Sequence, residues 1–73
     1  MKINLMEEIR HTPAKEVAGF GSCVSFIDLF QRLQTLYSFN NKDLLEAQLK
    51  QLHSEGRVKL FLCDGILSYI API

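Results

Sequence analysis

Apolar residues along this chain recur at three-and-four spacing as far as Gly56, and at nearly every second position beyond it. The first spacing is that of helices with one buried face, the second that of strands. Asn4 and Glu7 stand three apart, as in a capping box, and Leu5, Met6 and Ile9 then share one helical face, which predicts a short first helix ending before Pro13. The stretch "TPAKEVAGFGSCVS", Thr12 to Ser25, has no period. Gly19 and Gly21 break any helical turn opened at Thr12 and Pro13, so it is expected to be irregular and to close in a short strand at Cys23 and Val24.

Ser25 is placed to cap a second helix, with Asp28 in its first turn and Phe26, Leu29, Phe30, Leu33, Leu36 and Tyr37 along its apolar face. "SFNN" interrupts that pattern. A third helix from about Asn41 to Glu55 then follows, capped at Asn40, with Leu45, Leu49 and Leu52 inward and Gly56 as its left-handed stop. The remainder alternates around "CDGI", the Asp-Gly pair preferred by a type I′ hairpin turn. Counting outward from Cys63 opposite Ile66 pairs Leu62 with Leu67, Phe61 with Ser68, Leu60 with Tyr69, Lys59 with Ile70 and Val58 with Ala71. One face is then wholly apolar (Val58, Leu60, Leu62, Leu67, Tyr69, Ala71), while Phe61, Ile66 and Ile70 lie on the mixed one. Either the first helix or the 13–22 segment covers that mixed face, or a partner does.

Composition narrows the function classes. With 73 residues there is room for one domain, residues 1–73, and 48% hydrophobic against 22% charged residues is a folding composition. Eight basic residues balance eight acidic ones, so no global field draws the chain to phosphate or to an anionic membrane. Cys23 and Cys63 are too few for a disulfide scaffold, which points to reduced thiols and an intracellular setting, cytoplasm or nucleus. Acids at Glu7 and Glu8 occupy the place of a signal peptide's apolar stretch, and no apolar run reaches the ~18 residues of a membrane span. A soluble, unprocessed chain, or a piece of a longer one, is expected. His11, Cys23, His53 and Cys63 match no zinc spacing, and Ser22 and Cys23 have no base placed to activate them. No enzyme activity, metal, cofactor or small-molecule substrate is expected.

Helix, short strand, helix, helix, hairpin is also the order of a winged helix. "SFIDLFQRLQ" followed by "NKDLLEAQLKQLHSEGRVKLFLCDGILSYIAP" resembles that superfamily's helix-turn-helix and wing, with Leu52, Glu55 and Gly56 matching the phrase that ends its third helix. In size and in its short wing the chain is also similar to the C-terminal winged helices of replication proteins, such as the minichromosome-maintenance helicases and the middle subunit of replication protein A. The fold class this implies is α+β: three helices, a C-terminal two-stranded hairpin and a short strand before the second helix. Winged helices serve both as DNA readers and as protein docking modules.

The residues decide between these uses. A DNA reader presents Arg, Lys, Asn and Gln outward from the third helix. Here the outward set is Asp43, Glu46, Ala47, Lys50, Gln51 and Ser54, and the hairpin tip is Asp64 and Gly65. Asp43 and Glu46 oppose a phosphate backbone, and the hairpin tip is short and acidic. The first expectation is therefore a non-enzymatic module that docks onto protein partners within a replication or transcription assembly. Phe61, Ile66 and Ile70 are its anchors, and Asp43, Glu46 and Lys50 its polar rim. The alternative is a small DNA-binding regulator that uses Lys42, Lys50, Gln51, Arg57 and Lys59.

Overall fold

Asn4 opens the first helix as its spacing predicts: the side-chain oxygen accepts from the Glu7 N–H at 3.3 Å, and α1 runs Leu5–His11. The computed structural model describes residues 4–73, and the chain's start at Met1 lies outside them. The remaining elements are β1 (Lys15–Val17), β2 (Gly21–Ser25), α2 (Phe26–Tyr37), α3 (Lys42–Ser54), β3 (Val58–Cys63) and β4 (Ile66–Pro72). The fold is α+β, with three helices and a four-stranded antiparallel sheet in the order β1-β2-β4-β3.

The helix ends follow local chemistry. Asn41, one residue beyond the expected Asn40, caps α3 by accepting from the Leu44 N–H at 3.0 Å, while Asn40 accepts from the Gln34 side chain. At the other end Gly56 has φ +76, and the N–H groups of Gly56 and Arg57 return to the carbonyls of His53 and Leu52, a Schellman stop. His53 Nδ1 lies 3.1 Å from the Val58 carbonyl and donates to it, tying the end of α3 to the start of β3. Ser25 sits at the cap of α2 but its hydroxyl makes no capping bond; its backbone is the last step of β2, paired with Tyr69.

Two further expectations, larger in consequence, are corrected. The 12–25 stretch holds a hairpin of its own: Lys15, Glu16 and Val17 pair with Cys23, Ser22 and Gly21 around a turn in which the Phe20 N–H bonds to the Val17 carbonyl at 3.0 Å. Gly19 and Gly21, read as breakers, have φ +86 and +81 and make that turn. The second correction concerns register. Asp64 (φ 53) and Gly65 (φ +78) form the expected turn, and Cys63 pairs with Ile66 and Leu62 with Leu67. A bulge then leaves Ser68 without an opposite residue, and beyond it Phe61 pairs with Tyr69, Leu60 with Ile70, Lys59 with Ala71 and Val58 with Pro72.

The bulge decides which face is core. Ile70, opposite both Leu60 and Val24, is fully buried, and Val24 and Val58 join it beneath the helices. Leu29 and Leu33 of α2, Leu45 and Leu49 of α3, and Leu5 and Ile9 of α1 close the same core. Leu62 and Leu36, both expected inward, are 55% and 52% exposed. On the opposite face Phe20 stacks on Phe61 with ring centroids 4.5 Å apart and lies 6.4 Å from Tyr69. The first hairpin thus covers the mixed face only around Phe61 and leaves Ile66 exposed, and Cys23 of that hairpin is itself buried, with Sγ 3.6 Å from the Phe20 carbonyl.

Candidate functional site

α2 and α3 begin close to the tip of the β3–β4 hairpin, and the gap between them is an open cleft of about 400 Å³. Phe26 and Ile27 reach it from α2, Lys42, Asp43 and Glu46 from α3, and Ile66, Leu67, Ser68 and Tyr69 from β4. Ile66 and Ile27 are 69% and 62% exposed, among the most exposed of the large apolar residues in the described chain. Local structure forces this. Ile66 follows the tight turn at the hairpin tip, and Ile27 occupies the helix position beside buried Phe26, so neither has chain above it.

Three residues expected at a docking surface, Asp43, Glu46 and Ile66, come together here. The others do not. Ile70 belongs to the core, because the bulge turns it inward. Phe61 is half-buried against Phe20 in the aromatic group behind the sheet. Lys50 lies a turn further along α3, its ammonium 3.3 Å from Glu46. Ile27 was missed by sequence reasoning. Its signal is an isoleucine on a helix whose three-and-four set already accounts for the buried face.

The residues of the DNA alternative form no concentrated positive surface. Lys50 is held by Glu46, the Arg57 guanidinium lies 3.2 Å from Glu55, and the Gln51 amide donates to the other oxygen of Glu55 at 3.0 Å. Lys42 stands 5.8 Å over the Phe30 ring. Lys59 is exposed on β3 and makes no ion pair among the described residues. Each exposed pair contributes only about 0–1 kcal/mol, but Glu46 and Glu55 set carboxylates beside two of the cations that phosphate contact would use.

A second polar cluster lies between α1 and α2. Glu8 is buried; its carboxylate accepts from the Arg32 guanidinium at 2.8 Å and from the Tyr37 hydroxyl at 2.8 Å. These bonds, Arg32 first, hold the Glu8 carboxyl below its ordinary range despite burial, and the bond to Glu8 pushes the Tyr37 phenol up. A carboxylate pinned by two donors is a poor proton acceptor at neutral pH, so the cluster reads as a clasp between helices. Among the described residues no group of three or more His, Cys, Asp or Glu is gathered as a metal site, and no helix is long and apolar enough to cross a membrane.

Serine substitutions separate the two apolar surfaces. Ile66→Ser should leave the unfolding free energy within about 0.5 kcal/mol of wild type. Phe61→Ser should lose about 1–2 kcal/mol through the broken stack, as measured by urea denaturation.

No protein-family model matches this chain, and no solved structure matches it. It is similar to the mitochondrial oxaloacetate transport protein of Schizosaccharomyces pombe (strain 972 / ATCC 24843), 38% identical over 77 residues that cover 94% of this chain and 24% of that protein. The chain spans about a quarter of the length of the relative it matches.

Proposed function

We propose that this chain is a non-enzymatic interaction module of the winged-helix type, which docks onto a protein partner through the cleft between α2, α3 and the β3–β4 hairpin. The observation that carries the reading is the pairing of exposed Ile27 and Ile66 with a charged rim of Lys42, Asp43 and Glu46 in one concave site. Apolar anchors surrounded by polar groups are the usual anatomy of a protein interface. Self-paired cations on α3 and at the base of the hairpin weigh against the DNA alternative.

Support for the winged-helix assignment comes from the order of elements and from the central place of β4 between β2 and β3. The β1–β2 hairpin is an addition to the elements that the resemblance implies. A role within a nucleic-acid-handling assembly rests on the resemblance, and an intracellular setting on the free thiols of Cys23 and Cys63. Oxaloacetate transport is what the name of the matched protein states, and this chain spans about a quarter of that protein. The cleft sets two carboxylates against one lysine and so is poorly suited to a dicarboxylate anion.

Selection of a random peptide library on the immobilised domain tests the docking reading. Binders should carry large apolar side chains and should be lost on Ile66→Glu. Binders that tolerate Ile66→Glu, or an unenriched library, would refute it.

A further inference from the structure

Ile27 and Ile66 line the cleft of about 400 Å³ and also project from it, so one molecule presents both a recess and the side chains to fill one. Neither isoleucine is able to fill the recess that it borders. A second feature bears on what does. Lys42 and Glu46 are four residues apart on α3 and share a helical face at the rim of the cleft. Two copies of that face laid antiparallel about a two-fold axis set Lys42 of each against Glu46 of the other.

We propose that the partner at this cleft is a second copy of this chain, bound in an isologous dimer. A two-fold interface places a patch against itself, so its charges must be of both signs and arranged to exchange. Lys42 and Glu46 meet that condition. Asp43 adds a second carboxylate at the rim, and Lys50 one turn along α3 offsets it, so the face as a whole carries two charges of each sign. Glu46 is shared within one copy by Lys50 at 3.3 Å, but that pair is exposed, and exposed pairs are weak enough to be exchanged on association. Two isoleucines per copy make a small apolar centre, so the dimer is a reversible one.

This inference deepens the docking reading and rests on it. Sedimentation velocity of the folded chain over a dilution series from dilute to concentrated protein is the test. The sedimentation coefficient should rise with concentration to the dimer value. Ile66→Glu should weaken association by tenfold or more, about 1.4 kcal/mol, and circular dichroism should report an unchanged fold. Lys42→Glu should weaken it as well, and the exchanged pair Lys42→Glu with Glu46→Lys should restore it to within about threefold of wild type. A chain that stays monomeric at all concentrations overturns the dimer, as does a dimer indifferent to Ile66→Glu or a charge exchange that fails to restore association. The docking reading is judged separately, by the peptide selection above and by DNA binding.

Discussion

Replacing Ile70 with alanine should destabilise the protein by about 2–5 kcal/mol, the range for truncating a large aliphatic side chain in a packed core. Ile70 is fully buried, between Val24 on one neighbouring strand and Leu60 on the other, beneath the three helices. A domain this small has a total stability near the low end of about 5–15 kcal/mol, so the variant should be partly unfolded at room temperature. Guanidinium denaturation of Ile70→Ala beside Ile66→Ala makes the comparison direct: a large loss for the first and almost none for the second. Similar losses at the two positions would mean that the hairpin lacks the bulge at Ser68.

Arg32→Met should cost about 2 kcal/mol. Removing one partner of a buried ion pair strands the other charge, which costs about 3–5 kcal/mol when both are fully enclosed. Here the Glu8 side chain is 9% exposed but that of Arg32 is 31% exposed, so water screens part of the effect. The Tyr37 hydroxyl still bonds to Glu8 in the variant and limits the loss further. The pH dependence follows from the direction of the shift. The folded-state pKa of Glu8 lies below its ordinary value near 4.5, so its stabilising contribution is complete above that value. It is lost as pH falls through the depressed folded value. The difference in stability between wild type and Arg32→Met should therefore be constant at neutral pH and narrow below pH 4.5. A difference that widens on acidification would contradict this.

Much of the helical part was legible because each signal was local and unopposed. Asn4 capped where its spacing to Glu7 implied, Leu45 and Leu49 turned inward, and Gly56 stopped α3 in the left-handed conformation. The hairpin was harder for a physical reason. Register is well specified when only one strand face is apolar, but here Phe61, Ile66 and Ile70 interleave with Leu60, Leu62 and Leu67, so two registers a single residue apart both bury a plausible set. The turn chemistry fixed the two pairs nearest Asp64 and Gly65, and the bulge changed all the pairs beyond them. Ser68 gives only a faint sign of this: its hydroxyl donates to the Ile66 carbonyl at 3.1 Å, a local bond at the residue that has no opposite partner.

The first hairpin was illegible for another reason. β1 is three residues long and mostly exposed, with Lys15 and Glu16 beside Val17, so it has no alternation to read. Lys15 is anchored instead by Asp28 at the start of α2, 3.2 Å away, a contact that exists only after folding. The cleft was legible in part. Asp43, Glu46 and Ile66 were identified from their side-chain chemistry, but their convergence with Ile27 depends on where α2 begins relative to the hairpin tip. Ile70 was assigned to the surface through the register error, and Phe61 to a bare face that the Phe20 loop covers.

The central claim is that this domain binds through an apolar cleft and not through phosphate contacts. Its most direct test is a fluorescence-anisotropy titration with random-sequence duplex DNA at low and at near-physiological salt. The account predicts no binding at micromolar protein even at low salt, because the carboxylates of Asp43, Glu46 and Glu55 stand beside Lys42, Lys50 and Arg57 and repel the phosphates those cations would contact. Micromolar or tighter binding that falls steeply with salt would contradict it, since a steep slope counts phosphates neutralised by Lys and Arg.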